Sequence, residues 1–299
     1  MTEPKANDLC SPKYIKELMD RFGIAPRREY GQNFLINSAI PRRIAESAHL
    51  GAGDGDCVLE IGPGIGVMTR ELSKLFPGVA AVEIDRSLIP VLEYTLSDCA
   101  NVDVVNADIL DCDINALARE RFGDADFHVC ANLPYYITTP ILMKLLEGDY
   151  PRLRTITVMV QSEVAARLAA PAGSREYGSI TASVAYYGEI KRLFSVSPGS
   201  FLPAPKVSSA VIKLELYPRE LRPVKPENEA LMFRVIAAAF GQRRKTLVNA
   251  LTAAFPALDK AAADTMLRLL SLDPLVRGEK LDIKQFAALS DYMLGLGIK

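Results

Sequence analysis

The pattern of apolar and polar residues changes character along this chain. Residues 13–22 and 41–49 carry apolar side chains at helical spacing, which predicts two N-terminal helices. From residue 57 to residue 161, short runs rich in β-branched residues alternate with segments long enough for helices. These runs read CVLEIG, AAVEID, VDVVNADI, FHVCANLP and TITVMVQ. Such alternation predicts an α/β fold with a mostly parallel, doubly wound, Rossmann-like sheet.

The pattern changes again in the last third of the chain. VQSEVAARLAA predicts an amphipathic helix, whereas KRLFSVSPGSFLPAPKV and SSAVIKLEL have the character of strands. RPVKPENE is polar and contains prolines, so it predicts a linker. We therefore predict a sheet domain over residues 1–217, a linker over 218–229 and a small all-helical domain over 230–299.

Charge is unevenly distributed between these segments. The 299 residues have a net charge of −1, which excludes a chain that holds nucleic acid by bulk charge alone. Residues 222–299 nevertheless carry a net charge of +4, and the preceding residues carry −5. Any contact with nucleic acid is therefore expected to be local, and the helical domain is the more basic part.

Cysteine and histidine usage predicts neither a disulfide framework nor a metal site. The five cysteines form no CxxC pair, and His49 and His128 lie far from any metal-ligand spacing. We expect reduced, buried thiols and no metal. The N-terminus has no signal-peptide character, and no apolar run approaches 18 residues. These features predict a soluble, cytoplasmic protein without membrane contact, and we expect a monomer.

A glycine-rich segment, EIGPGIG at residues 60–66, ends the first predicted strand and opens a helix. Glycine lets the backbone pass close to a ligand, and helix N–H groups would face it. Glu83 ends the next strand, 21 positions after Gly62, where a carboxylate accepts hydrogen bonds from ribose hydroxyls. Asp108, which closes the third strand, would accept from an adenine amine. A structural turn and a solvated strand-end glutamate are the alternatives, and NAD proteins carry a related pattern.

A tetrapeptide after the fourth strand, Asn132-Leu133-Pro134-Tyr135, points to methyl transfer onto an amine. An adenine amine is a poor nucleophile because its lone pair is delocalised into the ring. The Asn132 side-chain oxygen and the Leu133 carbonyl can accept hydrogen bonds from the two N–H groups of the adenine amine, and Pro134 keeps the turn rigid. The Tyr135 ring can stack on a base taken out of its helix, a role in which phenylalanine is expected to serve almost as well. The alternative is an ordinary loop in which asparagine caps, proline turns and tyrosine packs.

With these motifs in place, the sequence strongly resembles the KsgA-type ribosomal RNA adenine dimethyltransferases. The resemblance covers roughly residues 13–290; the first dozen residues lie outside it. Its motifs are GQNFL, EIGPGIG, VEID, AD, ANLPYYITTPI, VQSEVAARL, PGSFLPAPKVSSAV and FGQRRKTLVNAL. It implies a class I methyltransferase fold and S-adenosylmethionine as the methyl donor. The implied activity is dimethylation of two adjacent adenines in a hairpin near the 3′ end of 16S rRNA, in the small ribosomal subunit.

The resemblance also implies roles for individual residues. The donor would be bound by residues of five motifs, namely Asn33, Leu35, Gly62, Glu83, Asp108 and Asn132. Asn132 would also face the target amine, with Leu133 and Pro134 in the same turn. Tyr135 would stack on the target base, and Phe201 looks like a second aromatic wall, although such a phenylalanine is as often plain core. Arg243, Arg244 and Lys245, in a helix-like context, would contact RNA phosphates; a solvated helix face is the alternative.

Three other functions remain to be distinguished. The first is the related large-subunit rRNA adenine methyltransferase that confers macrolide resistance, against which PGSFLPAPKV and RRKTLVNAL speak. The second is a ribosome-assembly factor whose methyl transfer is incidental. The third is a NAD-binding oxidoreductase, which would need hydride-chemistry residues that the sequence does not display.

Overall fold

The computed structural model describes residues 9–27 and 31–299. The strands are β1 (Phe34–Leu35), β2 (Cys57–Ile61), β3 (Val79–Glu83), β4 (Val102–Asn106), β5 (Phe127–Asn132), β6 (Leu153–Gln161), β7 (Gly188–Val196), β8 (Phe201–Leu202) and β9 (Ser209–Leu216). The helices are α1 (Pro12–Phe22), α2 (Ala39–His49), α3 (Val67–Leu72), α4 (Ile89–Thr95), α5 (Ile114–Phe122), α6 (Thr138–Glu147), α7 (Ser162–Leu168), α8 (Ser179–Tyr187), α9 (Glu229–Gly241), α10 (Leu247–Ala254), α11 (Lys260–Leu269) and α12 (Ile283–Gly295).

Seven strands form one sheet in the order β4-β3-β2-β5-β6-β9-β7. Strands β2 to β6 are all parallel to one another, whereas β9 runs antiparallel to β6. The chain winds outward from β2 to β4, then returns to place β5 on the other side of β2. Ligands of doubly wound sheets bind beyond the carboxyl ends of the strands at this point of reversal. The predicted doubly wound α/β sheet is confirmed, and its topology places a site beyond β2 and β5.

Local signals in the sequence set the ends of several helices. Pro12 occupies the first turn of α1, and Gly23 ends the helix with a φ of 63°. The Asp282 side chain accepts a hydrogen bond from the Gln285 N–H, and the Gln285 side chain accepts one from the Asp282 N–H. This capping box starts α12. Helix α8 lies within YGSITASVAYYG, a segment to which the sequence analysis assigns no element.

The apolar side of the sheet forms one core with α2. Ile44 and Ala48 of α2 pack with Val58 of β2, Cys130 of β5 and Val211 of β9, all of them buried. Near-complete burial of aliphatic side chains is worth about 1.5–3 kcal/mol for each of the larger ones, so this face holds the sheet rigid. A rigid sheet fixes where its strands end, which is where the site lies.

Contacts within the chain divide it into two compact units. The first comprises the described residues up to Ala165 together with Lys191–Leu216, and it contains most of the sheet. The second comprises Ala166–Ile190 and Tyr217–Lys299, and it is largely helical. Residues 166–190 thus group with the helical unit, although the sequence pattern places them with the sheet. The predicted limits of the two domains otherwise stay a prediction.

The described residues also bear on three smaller expectations. All five cysteines are free thiols; Cys10, Cys57 and Cys130 are buried, but Cys99 and Cys112 are only half-buried. No group of three or more histidine, cysteine, aspartate or glutamate side chains is placed to hold a metal ion within the described ranges. None of the helices described combines the length and apolar character needed to cross a membrane.

Candidate active site at the carboxyl ends of the strands

A cleft of about 1140 Å³, including its open mouth, lies beyond β2, β3 and β5. All ten residues that the sequence proposes for the donor and the target amine line it: Asn33, Leu35, Gly62, Glu83, Asp108, Asn132, Leu133, Pro134, Tyr135 and Phe201. They come from six segments of the chain, and the order of the strands brings them together. Their chemical roles remain proposals.

The glycine loop after β2 forms one wall of the cleft. Gly62 has a φ of 70°, and a Cβ built there would meet nothing within 4 Å. The backbone therefore lies bare towards the cleft, as a closely approaching ligand requires. Gly66 has a φ of 85°, and a Cβ there would lie only 3.1 Å from Thr95 and from Leu96. Gly62 thus leaves open space beside the cleft, whereas Gly66 allows the close packing of Thr95 and Leu96. Helix α3, which follows the loop, has only six residues.

Glu83, the last residue of β3, is 4% exposed and lines the cleft. Its carboxylate accepts hydrogen bonds from the N–H of Asp85 at 2.8 Å and the N–H of Gly64 at 3.2 Å. Burial raises the pKa of Glu83, and these two bonds oppose the rise. The carboxylate is thereby fixed against the glycine loop, at the place where a ribose is expected.

Glu60 is a site residue whose side chain the sequence reasoning left without a role. It is fully buried in β2, it lines the cleft, and neither carboxylate oxygen has a hydrogen-bond partner among the residues described. Burial raises the pKa of Glu60 to about 8; the neighbouring Thr69 hydroxyl, which does not reach hydrogen-bond geometry, opposes the rise, and the nearby Glu83 adds to it. A buried carboxyl group without a partner is costly unless a ligand compensates it. Its position as the first residue of the EIGPGIG motif was the available signal.

The segment GQNFL, residues 31–35, forms the opposite wall of the cleft. Its last two residues form β1, which pairs antiparallel with β8 so that Leu35 faces Phe201. Asn33 donates a 2.8 Å hydrogen bond to the carbonyl of Gly31. Gln32, which the sequence reasoning missed, donates a 2.9 Å bond to Asp85. The segment is thus joined to Asp85, just beyond the end of β3, and to Phe201 of β8.

Asp108 lies two residues beyond the end of β4, not within it. Its Oδ1 accepts a 2.8 Å hydrogen bond from the N–H of Leu110, and its carbonyl accepts bonds from Asp111 and Cys112. These bonds form an Asx-type turn that orients the side chain. Asp108 lines the cleft, and no hydrogen bond from the described residues reaches its other carboxylate oxygen.

The Asn132–Tyr135 turn begins at the last residue of β5. The N–H of Leu133 donates to Met159 at 3.1 Å, and the Pro134 carbonyl accepts from Ile137 and Thr138. Among the described residues, no hydrogen bond reaches the carbonyl of Leu133. The turn is therefore held by bonds that leave this carbonyl available to an amine.

The two aromatic residues of the site differ in their surroundings. The Tyr135 hydroxyl lies 2.8 Å from the hydroxyl of Ser209, another residue missed by sequence reasoning. Phe201 lines the cleft but is only 3% exposed and packs with Leu35 in the sheet core. Phe201 is therefore both core and wall.

The three basic residues lie in the helical unit, and their local structure differs from the prediction. Arg243, Arg244 and Lys245 follow the end of α9 and occupy a turn before α10, not a helix. Arg243 donates hydrogen bonds to the carbonyls of Arg175 and Tyr177, both at 3.0 Å. The Arg243 side chain therefore joins the turn after α9 to the segment that contains Arg175 and Tyr177.

The cleft fits a cationic nucleoside such as S-adenosylmethionine. Glu60 supplies buried, unpartnered carboxylate oxygens, and Gly62 leaves a bare stretch of backbone. Glu83 and Asp108 supply acceptors at the ends of neighbouring strands. S-adenosylmethionine carries a sulfonium, an ammonium, ribose hydroxyls and an adenine amine. Carboxylates and other acceptors in the cleft complement these groups.

Comparison with known proteins gives a consistent result. Residues 24–293 match the family described as Ribosomal RNA adenine dimethylase. The chain is 42% identical to Ribosomal RNA small subunit methyltransferase A of Bacillus mycoides (strain KBAB4) over 96% of this chain and 98% of that protein. It is 41% identical to the protein of the same name in Alkaliphilus oremlandii (strain OhILAs), over 95% and 97% of the two chains.

Solved structures give the same result at lower identity. A dimethyladenosine transferase from Plasmodium falciparum has 25% identity and a TM-score of 0.74, covering 88% of this chain and 98% of that one. The 23S rRNA methyltransferase ErmE has 26% identity and a TM-score of 0.66, covering 87% and 98%. The fold is therefore that of a class I rRNA methyltransferase.

Proposed function

Because this chain belongs to the ribosomal RNA adenine dimethylase family, we propose that it dimethylates the N6 amines of two adjacent adenines near the 3′ end of 16S rRNA. S-adenosylmethionine is the methyl donor. The observation that carries the assignment is the Asn132–Tyr135 turn, which lies in one cleft with the glycine loop of β2. A donor site and an amine-binding turn at adjacent strand ends are what methyl transfer to a base requires.

Asn132 and Leu133 have the acceptors that an adenine amine needs. The Asn132 side-chain oxygen and the Leu133 carbonyl would each accept a hydrogen bond from one N–H group of the amine. These two hydrogen bonds favour a tetrahedral nitrogen whose lone pair is available for attack. When bound, the donor supplies a methyl group on a positively charged sulfur; as the methyl moves, the sulfur becomes a neutral thioether and the charge passes to the amine nitrogen, whose protons become acidic. The site therefore needs no strong base, and the methylated amine releases its proton to water. Catalysis then rests on positioning and electrostatics.

We assign the donor-binding roles from the contacts in the cleft. The carboxylate of Glu83 would accept the ribose hydroxyls, and Asp108 would accept from the adenine amine. The bare backbone at Gly62, with Asn33, Leu35 and Asn132, would enclose the methionine end of the donor. Tyr135 would stack on the target base, and Phe201 would close the wall behind it.

The helical unit is proposed to contact the RNA backbone. Arg244 and Lys245 have exposed side chains without an ion pair among the described residues, so they are available to phosphates. Arg243 is already bonded to two backbone carbonyls. We therefore divide the proposed role of the triplet: Arg244 and Lys245 would bind phosphate, and Arg243 would hold the turn that presents them.

The test is incubation with labelled S-adenosylmethionine and small ribosomal subunits that lack the modification, followed by mapping of the labelled nucleotides. Label on adjacent adenines near the 3′ end of the small-subunit RNA is the expected result, and Asn132→Ala should abolish it. Label confined to large-subunit RNA would identify the macrolide-resistance activity instead. Binding of NAD in preference to S-adenosylmethionine would identify an oxidoreductase, and subunit maturation by the Asn132→Ala protein would reveal an assembly role.

Place of action and assembly state follow from this function as proposals. Ribosomal subunits are the substrate, so we propose that the protein acts in the cytoplasm. The cleft is formed by residues of one chain, so we propose that the protein works as a monomer. Sedimentation of the protein alone and with small subunits tests the second proposal.

A further inference from the structure

Tyr135 and Ser209 are joined through their side chains although they lie 74 positions apart in the chain. Their hydroxyl oxygens are 2.8 Å apart, and either group can donate the hydrogen bond. Tyr135 follows the end of β5, whereas Ser209 is the first residue of β9. Ser209 pairs with Gln161, the last residue of β6. Because β9 is antiparallel to β6 and β6 is parallel to β5, the start of β9 lies at the same sheet edge as the end of β5.

Ser209 has the surroundings of a residue that is kept for its hydrogen bond. It is 1% exposed, and a buried hydroxyl without a partner is unfavourable. The partner it has is the phenol of Tyr135, on the wall of the cleft. The next residue along the chain differs: Ser208 is exposed, and its hydroxyl donates to Ser162 at 3.0 Å. Two adjacent serines thus bond to different segments, and only Ser209 reaches a residue of the cleft.

The Tyr135 ring is held at both ends of its long axis. Its backbone follows a turn fixed by the bonds to Leu133 and Pro134, and its hydroxyl is fixed by Ser209. A change of χ1 would move the hydroxyl and break that bond, so the rotamer is locked. Only rotation about the ring axis remains.

We propose that Ser209 is a positioning residue for the methyl transfer, which holds the Tyr135 ring in the place where it receives the target base. The proposal rests on the function proposed above and adds a residue to it. Ser209 acts through Tyr135 and does not touch the donor. A ring held in place before the base arrives loses less conformational freedom on binding, so the base is stacked in a reactive position more often.

This inference changes the expectation for the phenylalanine variant of Tyr135. If stacking alone mattered, Tyr135→Phe would behave as the unmodified protein. With Ser209 as the positioning partner, Tyr135→Phe and Ser209→Ala remove the same bond. Each should lower kcat for small subunits by about 3- to 10-fold, the range expected for one hydrogen bond. The double variant should be no slower than the slower single variant, because the two changes share one interaction.

The experiment measures kcat and KM for unmodified small subunits, and Kd for S-adenosylmethionine, in the full-length protein and in four variants. These are Ser209→Ala, Tyr135→Phe, the double variant and Ser208→Ala as the matched control. The proposal expects coupled losses in kcat, an unchanged donor Kd in all four and unchanged kinetics in Ser208→Ala. Wild-type kcat in Ser209→Ala, or losses that multiply in the double variant, would overturn it.

Two further outcomes distinguish other causes of a lower kcat. If Ser209→Ala does not fold, Tyr135→Phe removes the same bond from the other side; full kcat in that variant then refutes the proposal. If the unmodified protein itself fails to methylate small subunits, the proposed function is wrong, and this outcome is distinct from failure of the positioning role.

Discussion

Gln32 donates a 2.9 Å hydrogen bond from Nε2 to Oδ2 of Asp85, a residue that is 2% exposed. The Gln32 side-chain oxygen accepts a 2.8 Å bond from the N–H of Arg27. Since Asp85 also donates its N–H to Glu83, the segment that walls the cleft is connected to the proposed ribose acceptor through two bonds. The position of residues 31–35 over the donor site therefore depends on the end of β3.

The first prediction follows from this connection. Gln32→Ala should weaken binding of S-adenosylmethionine by about 0.5–1.5 kcal/mol, because one hydrogen bond that holds the cleft wall is lost. Isothermal titration calorimetry measures the change. Ser87→Ala is the matched control, since Ser87 donates to the other oxygen of the same carboxylate, at 2.6 Å, from outside the cleft wall. Equal affinities in Gln32→Ala and the unmodified protein would show that the connection does not serve the donor site.

The second prediction concerns Glu83. Glu83→Ala should weaken donor binding by roughly 1.5–3 kcal/mol, because the ribose hydroxyls lose a charge-assisted partner. The chain should still fold, since the strand keeps its backbone pairing. Asp103→Ala, which removes an exposed carboxylate from the neighbouring β4, is the control. An unchanged donor affinity in calorimetry would remove Glu83 from the site.

The third prediction uses the buried carboxyl group of Glu60. Its pKa is about 8 in the folded protein, against an ordinary value of 4.5. Between these pH values the folded chain holds a proton that the unfolded chain releases. Raising the pH through this range therefore lowers the free energy of unfolding, by at most about 1.4 kcal/mol per pH unit from this group. Glu60→Gln lacks this dependence.

Urea unfolding at about pH 5 and about pH 8, without donor, tests the prediction for Glu60. The variant should gain stability relative to the unmodified protein as the pH rises, because all other titrating groups are common to both chains. It should also bind S-adenosylmethionine more weakly, since a cation loses its counter-charge. Stability differences that are the same at both pH values would show that Glu60 is already ionised in the empty cleft.

The fourth prediction divides the basic triplet. Replacing Arg244 and Lys245 by glutamine should weaken binding to small subunits and flatten its salt dependence by about one to two units, since each phosphate contact contributes roughly 0.7–0.9. Donor binding should not change. Lys284→Gln, which removes an exposed charge from α12, is the control for charge alone. Parallel lines of affinity against salt for the double variant would mean that both side chains are merely solvated.

Arg243→Gln is expected to act differently from its two neighbours. Its guanidinium bonds the carbonyls of Arg175 and Tyr177, so its loss should lower the melting temperature of the protein. A thermal scan measures this, and a loss of RNA affinity with unchanged melting would contradict the division.

The sequence by itself determined the class of fold and the composition of the cleft. Runs such as CVLEIG are mostly apolar because a parallel strand is covered on both faces, and this made β2 to β6 predictable. Glu83 and Asn132 are the last residues of β3 and β5, and the carboxyl ends of parallel strands meet at one edge. Short-range patterns therefore sufficed for Gly62, Glu83, Asp108 and the Asn132–Tyr135 turn, whereas Asn33, Leu35 and Phe201 were predicted only from the family resemblance.

Other features were decided only by the tertiary structure. Ser209 reaches Tyr135 because β9 runs antiparallel to β6, and no local pattern states the direction of a strand. The contact between Gln32 and Asp85 spans 53 positions, and the missing partner of Glu60 becomes visible only once its neighbours are placed. Arg243, which the sequence analysis predicts to contact RNA, donates hydrogen bonds to two carbonyls that lie 68 and 66 positions away in the chain, and no local pattern shows these bonds. Periodicity records which residues are buried, whereas hydrogen bonds between distant segments depend on how the strands are ordered and directed in space.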